Sequence, residues 1–350
     1  MAPNAKLPAE LDREHLTQVL RDGGFLSDQS IREIAVPIDK DTEVSHVRTI
    51  ELLYDRPAPM APNKLFVKTG QPGRITPTRN ASKIEGSFYS GLAATLPGGI
   101  TPRCYGAFQA GDSEAWHILL EDLDPTHERA TQWTLPPPLP RFKDIVATLA
   151  RIHAVYWDDP RLGVTVGNWP THTWSDTPFD KIFPGFVAML GERLSAERRD
   201  LLEAQRRSSK VLFARYAGPR NATLIHGDAH VLNFMVSRDP VSKDTRLLDW
   251  ESWRLGTATD DLAYLIAMQY PPDYRRRFER LLLDHYWENL DPKGNYSRDA
   301  LQEDYRRSVL LLLRRPLFQW DARLSASIWW NNLERIMLAA NDLSCRDLLG

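Results

Sequence analysis

The pattern of apolar and polar positions predicts a β-rich first part of the chain. Within the first 35 residues, apolar positions from Leu11 to Leu20 follow helical spacing, and Gly23–Gly24 ends that predicted helix. From about Ile34 onward, short β-type runs alternate with polar and proline-rich stretches, which is typical of strands and turns. The predicted strands lie in IAVPI, VRTIELLY, KLFVK, TPRCYGAFQ and AWHILLEDL. One helix is predicted over ASKIEGSFYSGLAATL, between the third and fourth strands.

The rest of the chain has mostly helical spacing. The stretch DPTHERATQWTLPPPLPR is proline-rich and predicts a linker or surface loop without regular structure. The predicted helices cover RFKDIVATLARIHAVYW, LSAERRDLLEAQRRSSKVLFARY, DLAYLIAMQY, RRRFERLLLDHYWENL and a final pair from 301 to 349. Short strands are predicted in TLIHGD, FMVSR and TRLLDW. The outline is an α+β protein, with a small β-rich N-terminal lobe over residues 1–123 and a large helical C-terminal lobe over residues 124–350.

Composition narrows the classes of function. The chain has 350 residues, and its 44 lysines and arginines balance 46 acidic residues, so we expect no nucleic-acid partner. Cys104 and Cys345 stand far apart, which argues against a disulfide framework or a structural zinc site. The first residues contain no apolar signal segment, and apolar runs such as VLLLL at 309–313 are far below the ~18 residues that span a bilayer. We therefore expect a cytoplasmic protein with no membrane span.

Candidate chemistry is concentrated in LIHGDAHVLNFMV, residues 224–236. His226, Asp228 and His230 alternate, so on a strand they would share a face and could bind a metal for hydrolysis. The remaining histidines of the nine in the chain stand in no supporting spacing. A metal-dependent hydrolase is therefore kept as an alternative only.

A second interpretation of this segment starts from Asn233, five residues after Asp228. Asp249 ends another apolar run, LLDW. Phosphoryl transfer from ATP needs these residue types: an aspartate that accepts or orients the acceptor's hydroxyl proton, and an asparagine and a second aspartate that hold magnesium. The pattern therefore favours a kinase-type reaction.

Upstream residues supply the groups that such a reaction needs for the nucleotide. Lys68 ends the predicted strand KLFVK, where a phosphate-binding lysine would lie, and Glu85 on the next helix suits an ion pair with it. The stretch ILLEDL ends a strand just before the proline-rich segment, where an adenine-binding hinge would lie.

The order Lys68, Glu85, LLEDL, HGDAHVLN, LLDWE and DDLAYL resembles the aminoglycoside phosphotransferase/choline kinase superfamily. The stretches EGSFYSGLAATLPGGITPRCYGAF, ILLEDL and WWNNLERIMLAANDL resemble its ecdysteroid-kinase-like branch, and the similarity covers roughly residues 30–345. This resemblance implies a two-lobed protein kinase-like fold, ATP and Mg²⁺ as cofactors, and a small-molecule hydroxyl as acceptor.

The resemblance also implies a role for individual residues. Asp228 would be the catalytic base or would orient the hydroxyl, while Asn233 and Asp249 would bind Mg²⁺. Lys68 would contact the α- and β-phosphates and pair with Glu85.

The adenine and the phosphates would be bound by two further segments. The backbone around Glu121–Leu123 would receive adenine. The turn between the first two strands, IDKDTEVSHV, contains no glycine. The superfamily often has a serine in such a turn, and Ser45 is the candidate for the phosphate loop.

Some polar residues near the site have a structural interpretation. His226 and His230 suit a role in bracing the loop by hydrogen bonds, since a neutral imidazole both donates and accepts. Asp261 in DDLAYL suits a helix cap or a loop brace.

The predicted function is an ATP-dependent phosphotransferase that moves the γ-phosphate to a hydroxyl of a small molecule, such as an antibiotic or another hydroxylated metabolite. The alternatives are a pseudokinase-like module that binds nucleotide or ligand without transfer, and the metal-dependent hydrolase.

Overall fold

The computed structural model describes residues 12–42, 45–70, 81–109, 116–132, 134–170, 176–216, 218 and 220–349. The chain forms two compact units. The first combines Met1–Glu128 with Met235–Ser252, and the second combines Arg129–Phe234 with Trp253–Gly350. The lobes predicted over residues 1–123 and 124–350 stay a prediction.

The described strands are short and the helices vary in length. The strands are β1 Ile31–Asp41, β2 His46–Tyr54, β3 Lys64–Thr69, β4 Cys104–Gln109, β5 Trp116–Glu121, β6 His127–Arg129, β7 Thr223–Ile225, β8 Phe234–Ser237, β9 Thr245–Leu247 and β10 Arg254–Gly256. The α-helices are α1 Arg13–Asp22, α2 Ala81–Ser87, α3 Leu139–Val155, α4 Asp176–Leu190, α5 Ala196–Arg207, α6 Ser209–Phe213, α7 Thr259–Leu262, α8 Pro272–Asn289, α9 Arg298–Leu312, α10 Arg315–Asp321 and α11 Ala326–Asp342.

The first unit is built on a five-stranded antiparallel sheet in the order β1-β2-β3-β5-β4. Its core side chains include Leu65 and Val67 of β3, which cluster with Leu16 and Leu20 of α1. Because successive side chains of a strand point to opposite faces, Lys68 projects from the other face of β3. The five strands predicted from the sequence are confirmed.

Two elements of the first unit differ from the prediction. The helix expected over residues 81–96 is α-helical only as α2 and continues as a π-helical segment, Phe88–Leu92, followed by a 3₁₀ turn. The segment predicted to contain no regular element includes β6, which joins a three-stranded sheet in the order β6-β8-β9. This pairing links segments about a hundred residues apart, so nothing in the local composition indicates it.

The second unit is mainly helical, and its longest helices bury one apolar stripe each. In α3, for example, Ile145, Leu149 and Ile152 are fully buried at helical spacing. Helix α4 was not predicted, since Pro184 inside it interrupts the pattern. The predicted final pair of helices is three helices, α9, α10 and α11.

A two-stranded antiparallel sheet of β7 and β10 supports the segment singled out in the sequence. After β7 ends at Ile225, the chain passes through His226–His230 into a 3₁₀ turn, Val231–Asn233, and then into β8. Strand β10 was not predicted, because three residues ending in glycine carry no alternation. Among the described residues, no helix is both long and apolar enough to cross a membrane.

The sheet core offers a matched pair of leucines for a stability test. Leu65 is 0% exposed and Leu53 of β2 is 46% exposed. We expect Leu65→Ala to lower the free energy of unfolding by about 2–5 kcal/mol, because it leaves a cavity under α1. Leu53→Ala is the control and is expected to change it by less than about 0.5 kcal/mol. Urea unfolding followed by circular dichroism measures both, and equal effects of the two changes would contradict the assigned core.

Candidate functional site

A buried lysine stands among carboxylates in the first unit. The Lys68 Nζ atom lies 2.7 Å from Glu85 Oε2 and 2.5 Å from Asp249 Oδ1. Glu251 Oε2 is 3.8 Å from the same nitrogen. Lys68 and Glu85 are buried, and the carboxylates of Asp249 and Glu251 are partly exposed. The predicted pairing of Lys68 with Glu85 is therefore present in the geometry, with Asp249 as a further partner.

These contacts determine the charge of the lysine. Burial alone would lower the pKa of Lys68, but the carboxylates of Glu85 and Asp249 raise it above its ordinary value. Burial raises the pKa of Glu85, and the ammonium of Lys68 opposes that rise. Lys68 is thus a fixed positive charge at neutral pH, and the carboxylates around it balance that charge.

The local fold explains why Asp249 reaches Lys68. Asp249 has a φ of +65°, a left-handed conformation that turns the chain sharply after β9. The next residue, Trp250, is fully buried and donates from Nε1 to the carbonyl of Leu247 at 3.0 Å. Its ring stacks on Phe88 with centroids 3.9 Å apart and planes 8° apart. Phe88 directly follows α2, so the stack ties the Asp249 turn to the helix that carries Glu85.

The carboxylates of this centre could also hold a cation. Oxygens of Glu85, Asp249 and Glu251 lie within 4.8 Å of one another. Glu251 was not among the predicted ligands, although its place two residues after Asp249 in LLDWE was a usable signal. An all-oxygen donor set suits a hard cation such as Mg²⁺.

The second unit holds the loop that contains Asp228. The amides of His226 and Gly227 donate to the two carboxylate oxygens of Asp261 at 2.7 Å and 2.8 Å. The amide of Asp228 donates to Nδ1 of His226 at 3.2 Å, and Asn233 Nδ2 donates to the Asp228 carbonyl at 3.0 Å. The bracing role predicted for His226 matches this geometry.

Asp261 is the central brace of the loop. It is buried, and His153 Nε2 lies 3.2 Å from its Oδ2 atom. Burial alone would raise the pKa of Asp261, but the hydrogen bond and charge of His153 and the contacts with His226 lower it below its ordinary value. Of the two roles the sequence suggested, it is the loop brace. The cap position of α7 is Ala258.

The Asp228 side chain has cationic and aromatic neighbours within the second unit. Arg315 Nη2 lies 2.5 Å from Asp228 Oδ1, and His230 Nε2 lies 3.5 Å from Asp228 Oδ2. The Arg315 guanidinium also stands over the ring of Tyr264, 4.8 Å from its centroid. Arg315 was not a predicted site residue, because no motif connects its distant helix to the HGD segment, and Tyr264 was not one although it lies in DDLAYL.

The residues predicted to bind adenine and phosphate are engaged in local contacts. Glu121 ends β5, and its carboxylate accepts from the Arg103 amide at 3.1 Å. The Leu123 carbonyl accepts from the amides of Thr126 and His127. Ser45 is buried and bonds with Thr42 through its amide, carbonyl and hydroxyl, which closes the turn between β1 and β2. Residues 43 and 44 of the predicted phosphate loop lie outside the described residues.

The predicted site residues thus form two groups. Lys68, Glu85 and Asp249 meet in the first unit, and Asp228 and Asn233 meet in the second. Among the described residues, the one group of His, Cys, Asp or Glu side chains that could hold a metal is Glu85, Asp249 and Glu251. The alternating His226, Asp228 and His230 of the hydrolase alternative are not such a group.

Part of this chain is similar to a known protein family. The model of the ecdysteroid kinase-like family matches residues 171–294, which include the HGD loop and Asp249. No curated protein matches the sequence.

Solved structures with a similar fold cover nearly the whole chain. A candidate aminoglycoside phosphotransferase from Ralstonia eutropha JMP134 is 15% identical with a TM-score of 0.55, over 96% of this chain and 98% of its own. An amicoumacin kinase in complex with AMP-PNP and Ca²⁺ is 12% identical with a TM-score of 0.51, over 93% and 92%. A microcompartment-associated aminopropanol kinase is 12% identical with a TM-score of 0.50, over 94% and 95%. The predicted kinase-like α+β fold is confirmed, and the predicted resemblance to the ecdysteroid-kinase-like branch agrees with the family match over residues 171–294.

The lowered pKa of Asp261 generates a test of the loop brace. We expect Asp261→Asn to lower the free energy of unfolding at neutral pH by roughly 1–3 kcal/mol. The amide of asparagine has one oxygen, so it can replace only one of the two acceptors that the carboxylate provides. A carboxylate with a lowered folded-state pKa contributes stability that is complete above its unfolded pKa of about 3.9 and is lost as the pH falls through the folded value. The difference between wild type and variant should therefore shrink below about pH 4.

Urea unfolding at about pH 7, 5 and 3 measures this difference. The exposed Asp299→Asn is the matched control and should show little change at any of these pH values. A wild-type advantage that stays constant down to the lowest pH would show that ionised Asp261 does not brace the loop.

Proposed function

We propose that the protein is an ATP-dependent phosphotransferase that moves the γ-phosphate to a hydroxyl of a small molecule. The observation that carries the proposal is the Lys68 ammonium, buried and held by both Glu85 and Asp249 at 2.7 Å and 2.5 Å. Folds seldom bury a charge unless it is paired, and a lysine held by two carboxylates on different elements suits a triphosphate that competes for the same cation.

The first unit would bind the nucleotide. Lys68 contacts the α- and β-phosphates, and Glu85 keeps the ammonium in place when the phosphates draw it from Asp249. The carbonyl of Glu121 and the amide of Leu123 would bind the adenine edge. The Leu123 carbonyl has another role, because it already accepts from the amides of Thr126 and His127. Ser45 would lie beside the phosphates as the loop residue of the β1–β2 turn.

The donor set fits magnesium. Asn233 and Asp249 are the proposed ligands, and Glu251 adds a carboxylate oxygen in reach of Asp249. Asn233 donates through Nδ2 to the Asp228 carbonyl, which leaves its oxygen Oδ1 to accept a cation. Bound Mg²⁺ would neutralise charge on the β- and γ-phosphates.

Asp228 would act on the acceptor. Its carboxylate accepts a hydrogen bond from the acceptor hydroxyl and aligns the oxygen with the γ-phosphorus. The new P–O bond forms as the bond to the β–γ bridging oxygen breaks, ADP leaves, and the hydroxyl proton passes to Asp228. Most of the rate gain then comes from positioning and from charge neutralisation, with little covalent work for the protein.

The solved relatives support nucleotide use and leave the acceptor open. The amicoumacin kinase binds AMP-PNP and Ca²⁺, and the aminopropanol kinase is named for an amino alcohol. Transfer is proposed over a binding-only module because the cation, its acidic partner, the base and both metal ligands are all present. Thermal-shift and ATP-consumption screening against hydroxylated metabolites and antibiotics would identify the acceptor.

Asp228→Asn tests the catalytic step. We expect the variant to lose turnover, by roughly 10³-fold or more, since the amide neither takes a proton nor orients the hydroxyl in the same way. Binding of Mg-AMP-PNP, measured by isothermal calorimetry, should stay close to that of wild type. Turnover of ATP is measured with water as acceptor and with any acceptor that the screen finds. Near-native turnover of the variant would refute the assigned role.

Asp249→Ala tests the cation site. We expect the variant to lose the magnesium-dependent part of nucleotide affinity, because one proposed ligand and one partner of Lys68 are removed together. Titration of AMP-PNP with and without Mg²⁺ measures that part. Asp28→Ala removes an exposed carboxylate of the same unit and is the matched control. A magnesium dependence equal to that of wild type would count against the assignment of Asp249.

A further inference from the structure

We propose that Arg315 is a positioning residue that holds the Asp228 carboxylate in its reactive orientation. The inference rests on the proposed phosphotransferase function and adds a residue that neither the motif nor the family resemblance assigns. It concerns groups of the second unit alone.

The contact geometry singles out Arg315. It is the first residue of α10, and its Nη2 atom lies 2.5 Å from Asp228 Oδ1 and 3.5 Å from the hydroxyl of Tyr264. Its guanidinium stands 4.8 Å over the Tyr264 ring. A charge-assisted hydrogen bond and a ring face together fix the guanidinium plane far better than a single contact on a flexible side chain.

Tyr264 is built to support the arginine. It lies in the π-helical segment Ala263–Met268, a geometry that is frequent at functional sites. Burial raises the pKa of Tyr264 to about 12, with Asp228 adding to the rise and Arg315 opposing it. The phenol therefore stays neutral in the physiological range, and the charge of Arg315 is directed at Asp228.

The two oxygens of the Asp228 carboxylate have different contacts and therefore different roles. Oδ1 is engaged by Arg315, and the backbone carbonyl of Asp228 is engaged by Asn233 and His230. Oδ2 has His230 Nε2 at 3.5 Å, and the Tyr264 hydroxyl also bonds to this carboxylate. Arg315 thus occupies Oδ1, restricts rotation of the carboxylate about its χ2 bond, and directs Oδ2 to the acceptor hydroxyl.

A small cavity lies beside Arg315 in the second unit. A cavity of about 60 Å³ is lined by Gly227, Tyr264 and Arg315, together with apolar side chains such as Leu311 and Phe318. The arginine therefore borders both an internal space and the reactive carboxylate. An arginine that only fastened α10 to the unit would not need to face Asp228.

The test uses Mg-ATP hydrolysis with water as the acceptor, so no unidentified ligand is needed. The variants are Arg315→Gln, Arg315→Lys, Asp228→Asn and the double change Asp228→Asn/Arg315→Gln. Arg199→Gln removes an exposed guanidinium from α5 in the same unit and is the control. Steady-state kcat and KM for ATP are measured with the melting temperature of each protein.

We expect Arg315→Gln to lower kcat by roughly 10- to 100-fold, because a misplaced catalytic group costs about that much. KM for ATP should stay within about twofold, since no nucleotide contact is removed. Arg315→Lys should recover part of the rate, since it keeps the charge and loses the planar fork. The double variant should be no slower than Asp228→Asn alone, because Arg315 acts only through that carboxylate.

Each remaining outcome has a defined meaning. A wild-type rate in Arg315→Gln, or a double variant slower by the full product of the single effects, overturns the inference and leaves the proposed function standing. Failure of the wild-type protein to hydrolyse Mg-ATP and to bind AMP-PNP overturns the proposed function and the inference with it. If Arg315→Gln does not fold, Arg315→Lys decides, and a wild-type kcat at an unchanged melting temperature contradicts the positioning role.

Discussion

The buried charge of Lys68 is the constraint on which the first unit depends. An ammonium removed from water is tolerated only with carboxylates in contact, and here they come from α2 and from the turn after β9. The chain must therefore return to the first unit over Met235–Ser252, long after the strand that carries the lysine. The stack of Trp250 on Phe88 fastens that return to the helix bearing Glu85. The connectivity of the unit therefore follows from the need to pair the Lys68 ammonium with carboxylates from two separate elements.

In the second unit, the HGD loop bends sharply, and it is held in place without regular secondary structure. Gly227 has a φ of +80°, and its own amide and that of His226 donate to the buried Asp261. His153 in turn contacts both Asp261 and the hydroxyl of Tyr286, so the brace reaches into the helical core. Residues far from Asp228 in sequence therefore hold the loop that carries it in one conformation. A rigid loop suits a reaction in which the protein mainly positions other molecules.

Residues joined by a short-range pattern could be predicted from the sequence, and residues joined only by packing could not. Periodicity indicated all five strands of the large sheet, and the spacing from Asp228 to Asn233 indicated the loop. Lys68 and Glu85 were paired through order along the chain. Strand β6 was missed because its partner lies about a hundred residues away, and α4 because a proline interrupts its pattern. Arg315 lies 87 residues after Asp228, and nothing local indicates their contact.

The backbone conformation at Asp249 affects which substitutions evolution can accept at this position. A φ of +65° disfavours most side chains, and glycine and asparagine adopt it more readily than others. Both of these replacements would delete the negative charge while Glu85 continued to neutralise Lys68. The fold therefore offers little resistance to the loss of this carboxylate. A descendant without this carboxylate lies a single substitution away, at a residue where the backbone itself favours the exchange.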